Sequence, residues 1–251
     1  MLLVVASCAK GTPLNPILPA GVSPTPFPIP EYVGIGKYDG LAEVTEPQWF
    51  GGVPFMTFLE ISQPRSSEIT GLDLPGWVYA YQGPHLVLRQ EGERQTLIDA
   101  GKAAWVEGEV DHLNATDEDQ IWYLIVFRSI AQRKASLTYP KARILYATGD
   151  LESAPPGKKL THQLGVIRME AGGRTSAHSH GGTESLYVMK GTVQLATNDG
   201  KRQQLAAGQG ASVNPGVIMQ LRVVGDEPVQ ILTYFVTPEG AAWQTNVQNL
   251  P

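Results

Sequence analysis

Two parts of this sequence repeat one another at an offset of about 107 residues, and that repeat limits the fold more than any single motif does. Residues 77–83 (WVYAYQG) align with residues 185–191 (SLYVMKG), and residues 86–97 (LVLRQEGERQTL) align with residues 194–205 (QLATNDGKRQQL). Ala100-Gly101 and Ala207-Gly208 follow, leading into short segments at 103–106 and 211–213. Each half closes with a strongly apolar run, residues 121–127 (IWYLIVF) and 229–236 (VQILTYFV).

Within each copy the acidic-glycine pairs Glu91-Gly92 and Asp199-Gly200 stand between apolar runs. Such pairs mark hairpin turns, because glycine accepts the positive φ angles a tight reversal needs. The chain holds 27 Gly and 19 Pro, which implies many turns and therefore many short strands, and helical periodicity is almost missing. Short strands hide their edges by closing into a barrel or packing as two sheets. The expectation is an all-β chain with two similar barrels, residues 31–138 and 139–251. A single large β-sandwich accounts less well for the matched turn positions.

Residues 172–191 read GGRTSAHSHGGTESLYVMKG. On an extended strand residues i and i+2 face one side, so His178 and His180 can aim at a common point. Gly181-Gly182 permits a tight reversal, after which Glu184, Leu186 and Val188 share one face and bring the carboxylate back toward the imidazoles. Two imidazoles and a carboxylate with open positions suit iron(II), manganese and related ions, and zinc, nickel and copper also accept imidazole. The segment resembles the first motif of the cupin superfamily, G-x5-H-x-H-x3-E-x6-G, at every fixed position. The resemblance implies a duplicated jelly-roll barrel, a bicupin, with one divalent transition metal on His178, His180 and Glu184; Fe, Mn, Zn, Ni and Cu all stay open.

The family's second motif, G-x5-P-x-G-x2-H-x3-N, is matched less well by the stretch from Gly208 (GQGASVNPGVIMQ). Gly216 keeps the turn, Pro215 is displaced by one, and Met219 and Val223 fall where histidine and asparagine are expected. A thioether is a weak ligand for hard or borderline ions, so Met219 reads as a pocket wall, with a fourth ligand as the alternative. In the first half the ligand positions fall on Thr70, Leu72 and Gly76, and only His112 survives from the second motif. That barrel reads as a structural partner, with a metal-free ligand pocket as the lesser reading. Arg168, on an expected strand at 165–170, is a second pocket-lining candidate that could meet an anionic substrate, although alternation leaves an exposed position open. His85 and His162 read as ordinary strand or loop residues. No catalytic residue is identified.

A net charge of −5 gives no basic stripe for nucleic acid, and no apolar stretch reaches the length of a membrane-spanning helix. There is no G-x-S-x-G nucleophile turn and no P-loop. The single cysteine, Cys8, excludes an internal disulfide and, from its place in a leader, a thiol catalyst. Val5-Ala6-Ser7-Cys8 resembles a bacterial lipobox after an apolar start, so residues 1–8 read as a leader with Cys8 as the lipidation site. Residues 9–30 contain seven prolines in an uncharged run from Gly11 to Pro30, a composition for an extended spacer.

The expected protein is an extracytoplasmic, membrane-anchored lipoprotein that binds or senses a small molecule through its metal; a cytoplasmic protein is the alternative. A mononuclear metalloenzyme (dioxygenase, decarboxylase or isomerase) is the competing activity, and an assembly protein using the barrels as contact surfaces is the third. A homodimer is an expected partner state. The anchor reading predicts that Cys8→Ser abolishes acylation and membrane association in cell fractionation. A wild-type chain recovered in the cytoplasm with Met1 intact would refute it.

Overall fold

The computed structural model describes residues 32–33, 36–46, 52–70, 75–89, 94–114, 116–133, 141–151, 154, 157–247 and 250. The leader with Cys8, the spacer 9–30, Leu72 and the Glu91-Gly92 turn lie outside these residues.

Four antiparallel sheets form two barrels. In the first, a five-stranded sheet runs Ala142–Ala147, Pro54–Gln63, Gln120–Ser129, Gly76–Tyr79, Ala103–Val106, and faces a four-stranded sheet of Glu68–Ile69, Val110–Leu113, His85–Arg89 and Arg94–Ile98. In the second, the five-stranded sheet runs Gly210–Val213, Thr183–Lys190, Val229–Pro238, Leu160–Met169, Gly36–Glu46. Its opposing seven-stranded sheet is centred on Met219–Val223 and includes Ala177–Ser179, the hairpin Thr192–Thr197 and Arg202–Ala206, and Thr245–Val247. The strand expected at 103–106 has those bounds, and Asp199-Gly200 turns the hairpin with Gly200 at φ 82.

The expected boundary at 138/139 is not respected by the strands. Gly36–Glu46, before the first barrel, pairs with Leu160–Met169 of the second. Ala142–Ala147, beyond the boundary, pairs with Pro54–Gln63 of the first. Each barrel therefore takes an edge strand from the other half of the chain. Aromatic rings lock these strands over glycines: a Cβ on Gly165 would lie 2.4 Å from the Tyr38 ring, and one on Gly210 would lie 2.5 Å from the Tyr146 ring.

Alternation along the long strands sorts their side chains into three apolar cores. Leu59, Val78, Trp122, Leu124 and Val126 fill the first barrel, while Phe58, Trp77, Tyr79, Tyr123 and Phe127 on the same strands point out of it. In the second barrel Leu186, Val188, Ile231 and Phe235 point inward, and Tyr187, Leu232, Tyr234 and Val236 point outward. The two outward sets pack on each other. This explains why residues 121–127 and 229–236 are apolar almost without interruption, since both faces of those strands are buried.

Phe58, fully buried between the barrels, packs near Tyr146 and Tyr187 with ring centroids 5.8 and 6.3 Å away. Phe58→Ala is expected to lower the unfolding free energy by about 3–5 kcal/mol. Chemical denaturation measures it, and a change within about 0.5 kcal/mol, the size of an ordinary surface substitution, would contradict the packed interface.

Candidate metal centre

His178 lies on Ala177–Ser179, His180 directly follows, and Glu184 enters on Thr183–Lys190. Glycines frame the segment because the backbone demands them: Gly172 and Gly191 both have φ 77. Gly181 and Gly182 serve a different purpose from the expected reversal. Their Cβ atoms would lie 2.5 Å from the Ala242 carbonyl oxygen and 2.2 Å from that of Val236, so the need is for close approach of backbones.

The three side chains converge. His178, His180 and Glu184 are all buried, and one ligand atom from each lies within 4.8 Å of the others. The His178 Nδ1–H donates to the Ser176 carbonyl at 2.9 Å, and the His180 Nδ1–H donates to the Trp243 carbonyl at 2.7 Å. A carbonyl only accepts, so each bond places the proton on Nδ1 and leaves the Nε2 lone pair free to act as a ligand. Thr233 donates its hydroxyl to Glu184 Oε1 at 2.8 Å and orients the carboxylate.

The remaining carboxylate oxygen, Oε2, stands 3.2 Å from His180 Nε2. Neither atom has a hydrogen-bond donor, and both are buried. Two electron-rich atoms held face to face out of water are costly unless a cation lies near them. A divalent ion on the two Nε2 atoms and Oε2 would satisfy all three, so the residues fit the metal that the motif implies. Burial pushes the His178 imidazole below its ordinary value. For Glu184 burial is the largest influence and pushes the carboxyl up, but the two neighbouring imidazoles and the Thr233 hydroxyl outweigh it and leave the carboxyl below its ordinary value.

Met219 is fully buried among the apolar side chains of the second barrel and stands opposite His178 across the sheet. Arg168 is not a pocket residue: its side chain is 45% exposed and it ion-pairs Asp39 on the exchanged strand Gly36–Glu46. Alternation along its strand is unbroken, with Leu160, Leu164 and Val166 facing out of the barrel and Ile167 and Met169 facing in, so Arg168 falls on the outward side. A cleft of about 180 Å³ lined by residues including Thr197, Lys201, Gln203, Val213 and Asn214 lies along the neighbouring hairpin, and none of the three candidate ligands lines it. Val213 is the cross-strand neighbour of Glu184, and Thr197 that of Met219. Sequence reasoning missed Thr233 and Trp243. Thr233 left a signal, as a hydroxyl between the inward apolar residues Ile231 and Phe235; a backbone carbonyl such as that of Trp243 leaves none.

A family described as a cupin domain matches residues 165–235, which contain all three ligands. The chain has a two-barrel cupin fold. Among solved structures it resembles the oxalate decarboxylase of Lactobacillus farciminis, a formate complex, at 12% identity over 84% of this chain and 88% of that one, with a TM-score of 0.55. A variant of Bacillus subtilis oxalate decarboxylase gives 12% identity over 86% and 80% of the two chains, with a TM-score of 0.55. A vicilin from Solanum melongena gives 8% identity over 77% of each chain, with a TM-score of 0.56. No curated protein matches the sequence.

The first cupin barrel has no counterpart of the triad among the described residues. Gly76 faces Val106 and Val126 across the sheet where Glu184 faces Val213 and Phe235, and a Cβ on Gly76 would lie 2.3 Å from the Ile125 carbonyl oxygen. Thr70 is exposed. His112 and His85, both buried, share a hydrogen bond of 2.9 Å and lie against Trp122 at 4.6 and 4.4 Å between ring centroids. His85 is thus part of an internal imidazole pair rather than an ordinary strand residue. His162 is also no ordinary loop residue, since its Nδ1 lies 2.7 Å from the Tyr234 hydroxyl between the barrels, beside Trp105 and Phe127.

Burial lowers His85 to about 4 and His112 to about 3, with the neighbouring imidazole adding to the fall at His112. These folded values lie below the ordinary 6.5, so on acidification the unfolded chain takes up protons first. Stability is therefore full above about pH 6.5 and declines as pH drops toward the folded values, by up to about 1.4 kcal/mol per pH unit for each residue. Denaturation midpoints measured between pH 6.5 and 4 should fall accordingly, and His85→Gln with His112→Asn should flatten that limb.

Proposed function

We propose that this protein binds a small organic anion at one divalent transition metal held by His178, His180 and Glu184. The observation that carries the reading is the buried pair of His180 Nε2 and Glu184 Oε2, 3.2 Å apart with no proton donor for either. A site of that kind calls for a cation, and three protein ligands leave positions on the ion for a small molecule. Two structural neighbours support an anion: one oxalate decarboxylase was solved with formate, and the Solanum vicilin is described with different anionic ligands in structurally similar pockets. The lipobox-like Cys8 and the proline-rich spacer support a tethered, extracytoplasmic sensor or binder.

A metalloenzyme is the second reading, favoured by the open positions of a three-ligand set and by the fold shared with decarboxylases. A bound ion would supply Lewis-acid polarisation of the anion. The chain's own part is to hold the ligand atoms, fix both imidazole tautomers and exclude water with the packed side chains of Met219 and Phe235.

Metal analysis of the purified protein tests the proposal directly. About one transition metal per chain is expected, with His178→Ala losing it and formate or oxalate altering the spectrum of the cobalt-substituted protein. A wild type that takes up no divalent metal would sink both readings. Turnover of small carboxylates or phenols by the loaded protein would favour the enzyme over the binder.

A further inference from the structure

The matched cupin segment ends at residue 235, yet the metal centre is completed by chain beyond it. After the strand Val229–Pro238, the chain returns across the mouth of the barrel and adds the strand Thr245–Val247 to Ala177–Ser179, with Asn246 opposite His178. The connecting residues seat on the ligand loop. The Gly181 N–H donates to the Ala242 carbonyl at 2.8 Å, and the Trp243 carbonyl accepts from His180 Nδ1 at 2.7 Å. The Trp243 ring lies 4.1 Å from Phe235 and 5.4 Å from His180 between centroids, covering the imidazole from outside. Gly181 has no space for a Cβ, which would meet the Ala242 oxygen at 2.5 Å and the Ala241 Cβ at 2.9 Å.

These contacts place two acceptors in competition for one proton. On one side of the His180 ring is the Trp243 carbonyl; on the other, 3.2 Å from Nε2, is Glu184 Oε2. If the proton sat on Nε2 it would bond the carboxylate, and one imidazole and one carboxylate oxygen would be withdrawn from metal binding together. We propose that residues 239–247 form a positioning strap whose Trp243 carbonyl holds the His180 proton on Nδ1 and so keeps Nε2 and Glu184 Oε2 open to the ion. This rests on the metal reading given under Proposed function. His178 needs no such strap, because its proton is held by Ser176, two residues earlier in the chain.

The test uses the full-length, metal-free protein at about pH 8, where exposed imidazoles are neutral. Long-range proton–nitrogen NMR reports the tautomer of each histidine, and zinc titration against a chelator reports affinity. The wild type is expected to show His180 in the Nδ1–H form. Gly181→Ala, which pushes the strap away, and Trp243→Ala, which removes its apolar seat, should each move His180 toward the Nε2–H form. Zinc affinity should fall by about 10- to 100-fold, the usual effect of losing a partner of a metal-bound histidine. His178 should keep its tautomer and serves as the internal control. An unchanged His180 tautomer and unchanged zinc affinity in both variants would overturn the strap, as would a wild type already in the Nε2–H form. A wild type with the Nδ1–H form that takes up no zinc would overturn the metal reading instead.

Discussion

The strands Pro54–Gln63, Gln120–Ser129, Leu160–Met169 and Val229–Pro238 are buried on both faces, and the rest of the structure depends on that. Inward side chains fill each barrel, and outward ones such as Phe58, Tyr123, Tyr187 and Tyr234 make a third core between them. Each barrel covers the outer face of the other's five-stranded sheet, while the opposing sheets turn residues such as Leu97 and Arg202 to solvent. The interface fixes the position of Thr183–Lys190, whose outward Tyr187 packs against the first barrel while its inward Glu184 reaches the candidate metal centre. Packing between the halves and placement of a ligand are therefore two faces of one strand.

The two barrels use similar means for opposite ends. Both place imidazoles inside an apolar shell, where an unpartnered nitrogen is costly. In the first barrel His85 Nε2 and His112 Nδ1 share one hydrogen bond, and both rings lie against Trp122. In the second, both protons are drawn to backbone carbonyls, and the nitrogen lone pairs gather beside a carboxylate. Where the proton partner stands separates a filled core from a site.

Much of this was legible in the sequence. The repeat gave two barrels, the turn residues placed most strands, and i, i+2 alternation brought His178, His180 and Glu184 to one point. What escaped has physical reasons. The strand Gly36–Glu46 precedes the repeated residues, so nothing in the alignment of the halves showed that it pairs with Leu160–Met169. Arg168 was ambiguous because alternation separates two faces without telling which one is inward, and it turns out to meet Asp39 at the surface. Gly181 and Gly182 looked like turn residues, but they are small because other backbones press on them. His85 gave no hint of its role, since its partner His112 comes from a strand that only the folded sheet brings alongside.

The exchanged edge strands bear on how such a chain is made. The first barrel waits for Ala142–Ala147, and the second needs Gly36–Glu46, which leaves the ribosome long before its partner Leu160–Met169 exists. During synthesis that early segment has an unpaired edge and must be kept from foreign β-edges until the second half emerges. Pairing across so long a separation in sequence makes for slow folding. Neither half would keep all of its strands if expressed alone, so the two barrels depend on each other for completion.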